Sequence, residues 1–135
     1  MQIQWERYLP RILIGVVLGL NLDCAFLFLI HPDQFIYGFE LSGVGGVVAI
    51  QGMGLLFIMW SVPYTIAFYQ PVTYRICLQA AIAMQFIGLM GETILFFTLP
   101  VGHAALRVTG SRFILFDAPG LLMLIAAWTV TRKSR

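Results

Sequence analysis

Apolar residues gather into four long runs along this chain, at 12–30, 44–62, 76–99 and 113–130. The second has an apolar, aromatic extension to Tyr69. About 20 such residues cross the hydrocarbon core of a bilayer as a helix. Between the runs lie residues that end helices. His31-Pro32-Asp33-Gln34 closes the first, and Tyr69-Gln70-Pro71 makes a tight link from the second to the third. Pro100 and Gly102 end the third, and Gly110-Ser111 precedes the fourth. The pattern predicts an all-α fold: a polytopic membrane protein with four transmembrane helices in an up-down bundle. The whole chain, 1–135, reads as one domain, with loops at 32–43 and 100–111 and no room for a separate catalytic domain. The first run is too long for the core of a signal peptide, and no small-residue cleavage site follows it, so it reads as a retained helix.

Composition strengthens this reading. The chain is 60% hydrophobic and 10% charged, with a mean hydropathy of +0.90. Soluble domains carry roughly 25% charged residues, so the polar surface here is too small to cover a water-facing globule. No basic run with interleaved aromatics points to nucleic acid. No His/Cys cluster has metal-ligand spacing. Cys24 and Cys77 fall in opposite halves of the bilayer, roughly 20 Å apart by helical rise. A disulfide needs Cα atoms within about 7 Å, so none is expected between them.

Charge sets an orientation. With a cytoplasmic N-terminus, the inner side holds Arg7, Arg11, Arg75, Arg132, Lys133 and Arg135, six of the eight basic residues. Arg107 and Arg112 lie outside. The positive-inside rule then places both termini in the cytoplasm, in a cell membrane. Trp5, Trp60 and Trp128, with Tyr8, Tyr64, Tyr69 and Tyr74, fall toward the same inner interface, where such rings prefer the headgroup level.

Against this background the acids stand out. Asp23, Glu92 and Asp117 lie inside the spans, where a carboxylate costs on the order of 2.5–3.5 kcal/mol at a helix centre. Such residues face a bundle interior and mark a site or pathway. Counting ~1.5 Å per residue places Asp23, Glu92 and Gln51 ~10 Å below the outer edge and Asp117 ~6 Å below it. Each helix thus contributes a polar group to one layer, which Asn21 and Gln85 extend inward. Gly15, Gly19 and Asp23 share a face of the first helix. Ala81, Gln85, Gly88 and Glu92 share one on the third. Small residues on these faces let helices approach closely, and the same account serves Gly43, Gly45, Gly46, Gly52 and Gly54. Pro63 and Pro119 would free the carbonyls of Met59 and Leu115. Arg107 and Arg112 are the available counter-charges for the acids. His31 and His103, at the outer face, are placed to exchange protons with them. No nucleophile–base–acid triad is visible.

Two stretches carry a family resemblance. Pro10-Arg11-Ile12-Leu13-Ile14-Gly15 opens the first helix. Gly110-Ser111-Arg112-Phe113-Ile114-Leu115-Phe116-Asp117 opens the fourth. They resemble the DoxX-like family of small four-helix membrane proteins, which often show Arg-x-x-x-Gly near the start of helix one and Gly-x-Gly-Arg-aromatic-Ser-Leu-Asp before helix four. Here one more residue precedes the aspartate, and the second glycine and the serine are absent. The resemblance singles out Arg11, Arg112 and Asp117. Some members of that family are associated with quinone-linked sulfur oxidation.

Three functions fit these residues. The first is a binding or accessory subunit with an outward-facing polar pocket for a quinone-like or other lipophilic molecule, or a bound lipid, beside a membrane redox partner or in a homo-oligomer. The second is a proton-shuffling, isomerase-like enzyme using Glu92 and Asp117. The third is a small proton or cation transporter or channel subunit. The candidate ligand-binding residues are Asp23, Glu92, Asp117, Gln51, Gln85, Asn21, Arg107, Arg112, His31 and His103, and no metal site is expected.

Overall fold

Four helices account for nearly all of the chain in the computed structural model, which describes residues 2–133. They are α1 (Gln2–Ile30), α2 (Gly43–Tyr69), α3 (Arg75–Thr98) and α4 (Ala104–Lys133). All four are long and apolar enough to cross a membrane. Between α1 and α2 the chain makes two short 3-10 turns, Pro32–Gln34 and Ile36–Phe39. Arg135 and the side chain of Arg7 lie outside the described residues.

Three helix boundaries differ from the sequence reading, and the first is that α1 begins at Gln2 and runs through Pro10 rather than starting at 12. Helix α2 runs through Pro63 to Tyr69. Membrane helices tolerate proline where hydroxyl side chains and neighbouring groups satisfy the freed backbone. Here Ser61 and Thr65 flank the proline and donate back to the carbonyls of Phe57 (2.8 Å) and Ser61 (3.0 Å), on either side of the Met59 carbonyl that Pro63 frees, so they brace the turn rather than fill that carbonyl. Helix α4 begins at Ala104 rather than beyond Ser111. Gly110 does not break it, because its bare backbone packs against Phe96 of α3. The α3–α4 link is therefore only 99–103, and Arg107 sits on a helix rather than in a loop.

The bundle is assembled from two antiparallel hairpins, α1–α2 and α3–α4, with α1 also packed along α4. A helix end in a bilayer has no water for its last carbonyls. Here each hairpin solves this reciprocally. Gln51 of α2 donates to Leu29 O at the end of α1 (3.3 Å), and Arg11 of α1 donates to Tyr69 O at the end of α2 (2.8 Å). Arg107 of α4 donates to Leu99 O at the end of α3 (2.8 Å), and Arg75 of α3 donates to Thr131 O near the end of α4. These capping roles explain four polar residues that the sequence pattern assigns to membrane orientation (Arg11, Arg75), to counter-charge (Arg107) or to the acidic layer (Gln51).

The two ends of the bundle are built differently. The half that carries the termini is closely packed around Ile14, Val17, Tyr64, Leu78, Ala81 and Leu124. Gly54 lets α2 come so close to α1 that an added Cβ would meet Ala25 O at 2.9 Å. Of the predicted glycine stripe on α1, Gly15 packs against Phe68, while Gly19 is exposed and touches nothing across the bundle. The opposite half is loose. There α2 and α3 stand apart, and phenylalanines rather than aliphatic side chains fill the centre. Phe28 meets Phe35, Phe39, Phe57 and Phe113, and the Phe57 and Phe113 rings stack at 6.2 Å. Cys24 and Cys77 are free thiols, as expected.

Candidate functional site

The polar centre lies where the packed half gives way to the loose half. Gln85 faces inward from α3 and is 3% exposed. Its Nε2 donates to Asp117 Oδ1 on α4 at 2.9 Å, and its Oε1 accepts from the hydroxyl of Tyr64 on α2 at 2.6 Å. Room for this amide comes from Gly120, one turn beyond Asp117, where a Cβ would lie 2.8 Å from Gln85 Nε2. Gly88, one turn beyond Gln85 on α3, is a second close approach: its Cβ would lie 3.2 Å from Asp117 Oδ2. The face Ala81–Gln85–Gly88–Glu92 predicted on α3 is thus the face that meets α4.

Glu92 continues that face, and its carboxyl lies beside that of Asp117 at the same polar chamber. Glu92 Oε2 is buried and has no hydrogen-bond partner. Asn21, 4% exposed, joins Gln85, Glu92, Asp117, Phe57 and Trp60 around a chamber of about 50 Å³. A polar space of that size admits water.

On the other side of Glu92 is a much larger space. A cleft of about 610 Å³ lies between α2 and α3, walled by Phe57, Trp60, Leu95, Phe96 and Phe113 with Glu92 as its acidic residue. Leu56 and Leu95 form its lips and are 58% and 69% exposed on the bundle's outer surface. In a bilayer that surface faces acyl chains, so the cleft opens sideways into lipid. Its apolar walls and few polar groups have the character of a small-molecule site. Glu92, Trp60 and Phe57 border both the cleft and the polar chamber.

The predicted layer of polar residues is therefore half assembled. Asn21, Gln85, Glu92 and Asp117 converge. Asp23 does not: it is exposed on the outer face of α1 and borders neither the cleft nor the chamber. Its depth matched the others, but the helical phase turns it away. Gln51 and Arg107 cap helix ends, as described above. Arg112 is exposed. Among the described residues the one ion pair is His103–Glu40, so neither arginine neutralises the acids. His31 is exposed in the loop. His103 Nδ1 donates to Glu40 Oε2 at 2.5 Å, far from a proton-relay role.

Three residues of functional weight were missed. The sequence pattern suits Tyr64 and Trp60 to a membrane interface, yet Tyr64 is fully buried and Trp60 walls the cleft. Their spacing from Phe57 by three and seven residues puts them on one face of α2, and that regularity was the available signal. Glu40 is the third. Its carboxylate accepts from His103 and from the amides of Ala105 and Leu106 at the start of α4, a position favourable to negative charge. Thr109 adds a bond to Gly38 O at 2.6 Å, so the 32–40 segment is fastened over the loose end of the bundle.

No protein-family model, curated protein or solved structure matches this chain.

Proposed function

We propose that the protein binds a lipophilic molecule with a hydrogen-bonding head, quinone-like in chemistry, drawn from the bilayer through the gap between α2 and α3. The observation that carries this reading is the position of Glu92. It stands at the partition between an apolar cleft open to lipid and a polar chamber, with one carboxyl oxygen unpartnered. A ligand's ring and tail would lie along Phe57, Trp60, Leu95 and Phe96, and its carbonyl or hydroxyl would complete the hydrogen bonding of Glu92. Asp117, Gln85 and Tyr64 hold that carboxyl in place from behind. The resemblance to DoxX-like proteins agrees with a quinone and with a membrane redox partner. Both termini would be cytoplasmic, in the cell membrane, with the cleft in the outer leaflet. Labelling of introduced cysteines checks this: a residue replacing Tyr37 should react from outside, and one replacing Thr73 should not.

The test of the reading is ligand retention. Purified protein should bind a short-chain quinone, and Glu92→Gln or Leu95→Trp should weaken binding at least tenfold. Unchanged affinity in both variants would overturn it.

A second reading draws on the Glu92–Asp117 contact itself. Two adjacent carboxyls beside a lipophilic cleft can act as base and acid, removing a proton from one carbon of a bound substrate and returning one to another, as isomerases do. Turnover of an unsaturated apolar substrate, lost in Glu92→Gln, would favour it. Cation or proton transport is the least supported, because the packed half of the bundle closes the route beyond Tyr64.

A further inference from the structure

A second cavity lies behind the first. It occupies about 290 Å³ between α1 and α4, beneath the segment that joins α1 to α2. Phe28, Phe35, Phe39 and Phe116 line it, together with Cys24 and Arg112. Phe39, Phe57 and Phe113 are walls common to both cavities, so the stacked Phe57–Phe113 pair divides them.

Arg112 is the feature that needs a partner. It is the cavity's only charged residue, and no hydrogen bond or ion pair to it is formed by any described residue. Of the other arginines with described side chains, Arg11, Arg75 and Arg107 each donate to a helix-end carbonyl, and Arg132 is exposed at the end of α4. A guanidinium is a planar fork of donors that matches a carboxylate or phosphate in two parallel hydrogen bonds. No described acid supplies this match: Asp117 accepts from Gln85, Glu40 pairs with His103, and neither Asp23 nor Asp33 forms an ion pair with Arg112.

We propose that this cavity is a binding site for a single-chain anionic amphiphile, a fatty-acid-like carboxylate or its phosphate equivalent. The head pairs with Arg112 at the mouth, and the chain enters the phenylalanine-walled interior. The volume is at the lower end for ligand pockets, which suits one chain and excludes a two-chain lipid. The site is separate from the Glu92 cleft and does not depend on the function assigned to it.

Cys24 supplies a local reporter, since it lines this cavity and Cys77 does not. Protein in neutral-lipid nanodiscs is treated with a small apolar thiol reagent, with and without dodecanoate, and both cysteines are followed by mass spectrometry. Bound dodecanoate is measured in parallel by equilibrium dialysis. We expect dodecanoate to slow Cys24 labelling at least tenfold and leave Cys77 unchanged. Arg112→Gln should abolish both protection and binding, while Arg112→Lys retains part of each. The melting temperature of Arg112→Gln should match that of the parent, which shows that the variant is folded. Equal binding of dodecanoate by Arg112→Gln would overturn the proposal. So would equal protection by dodecanol, by inorganic phosphate or by nanodiscs containing phosphatidylglycerol, the last of which would assign Arg112 to bilayer headgroups.

Discussion

Gln85 Nε2 donates to Asp117 Oδ1 at 2.9 Å, and this one bond joins α3 to α4 at the level where the bundle changes character. Below it the core is aliphatic and closed; above it lie the cavities. The same amide accepts from Tyr64 at 2.6 Å, so three helices meet at a single side chain. A buried amide with both ends satisfied is a rigid support. It orients Asp117, and through Asp117 it orients Glu92.

Removing the hydroxyl of Tyr64 tests that support. Tyr64→Phe leaves Gln85 Oε1 buried without its donor, which typically costs about 1–3 kcal/mol. We expect a lower midpoint of unfolding in detergent. Pairing it with Gln85→Leu should cost less than the two single changes added, because neither partner is then left alone. Additive losses would show that the bond carries no coupling.

Glu92 and Asp117 should likewise act as a unit. Residues coupled through a shared cavity show interaction energies of about 0.5–3 kcal/mol. The combination Glu92→Gln with Asp117→Asn is therefore expected to depart from additivity in stability and in quinone affinity. Strict additivity in both measurements would mean that the two carboxyls are not coupled.

Gly120→Ala addresses the space rather than the bond. Its Cβ would fall 2.8 Å from Gln85 Nε2, so the amide must move and its bond to Asp117 must lengthen or break. We expect loss of stability and of quinone binding together. Gly52→Ala is the control, since an added Cβ there meets nothing within 4 Å. In a helix interior alanine is favoured over glycine by about 1 kcal/mol, so this control should match or exceed the parent in melting temperature.

Much of this architecture was legible in the residues. Run length alone located the four spans, because hydrocarbon thickness imposes it. The α3 face from Ala81 to Glu92 was legible because small residues recur there at helical spacing beside the polar ones. Depth, by contrast, misled for Asp23 and Gln51. Matching depth places residues in one layer, but which of them face inward depends on how each helix is rotated, and only packing sets that. Tyr64 illustrates the same limit. An aromatic ring with a polar tip suits a headgroup region or a buried acceptor equally, and the acceptor here, Gln85, is 21 residues away in sequence. The capping arginines were hidden for another reason. Their partners are backbone carbonyls, which have no signature in the side-chain pattern.

Those caps can be checked by contrast. Arg107 is half-buried and holds Leu99 O at 2.8 Å, whereas Arg112, about one and a half turns further along the same helix, touches no protein partner. Arg107→Met strands a helix-end carbonyl and should cost about 1–3 kcal/mol. Arg112→Met should stay within about 0.5 kcal/mol of the parent. Equal losses from both would mean that charge, not capping, is what the helix requires.

The fastening of the 32–40 segment makes a prediction about pH. Its anchor, Glu40, takes a left-handed backbone conformation (φ 53°) and accepts from His103 and from the first amides of α4. The His103 hydrogen bond chiefly, with the Ala105 and Leu106 amides adding to it, holds this carboxyl below the ordinary glutamate value of 4.5. A carboxyl lowered by folding stabilises the folded arrangement wherever it is ionised. The anchor is therefore complete above about pH 4.5, and it is lost as pH falls through the lowered value in the folded protein. His31 and Asp33 lie in the same segment and Arg112 faces it from α4, so the effect must be assigned with a variant. A spin label at Tyr37→Cys, 82% exposed in the parent, reports the motion of the segment. Its mobility should be low at neutral pH and rise on acidification below pH 4.5. In Glu40→Gln the label should be mobile at neutral pH already and change little with acid. A label that stays immobile in Glu40→Gln would show that the Thr109–Gly38 bond holds the segment by itself.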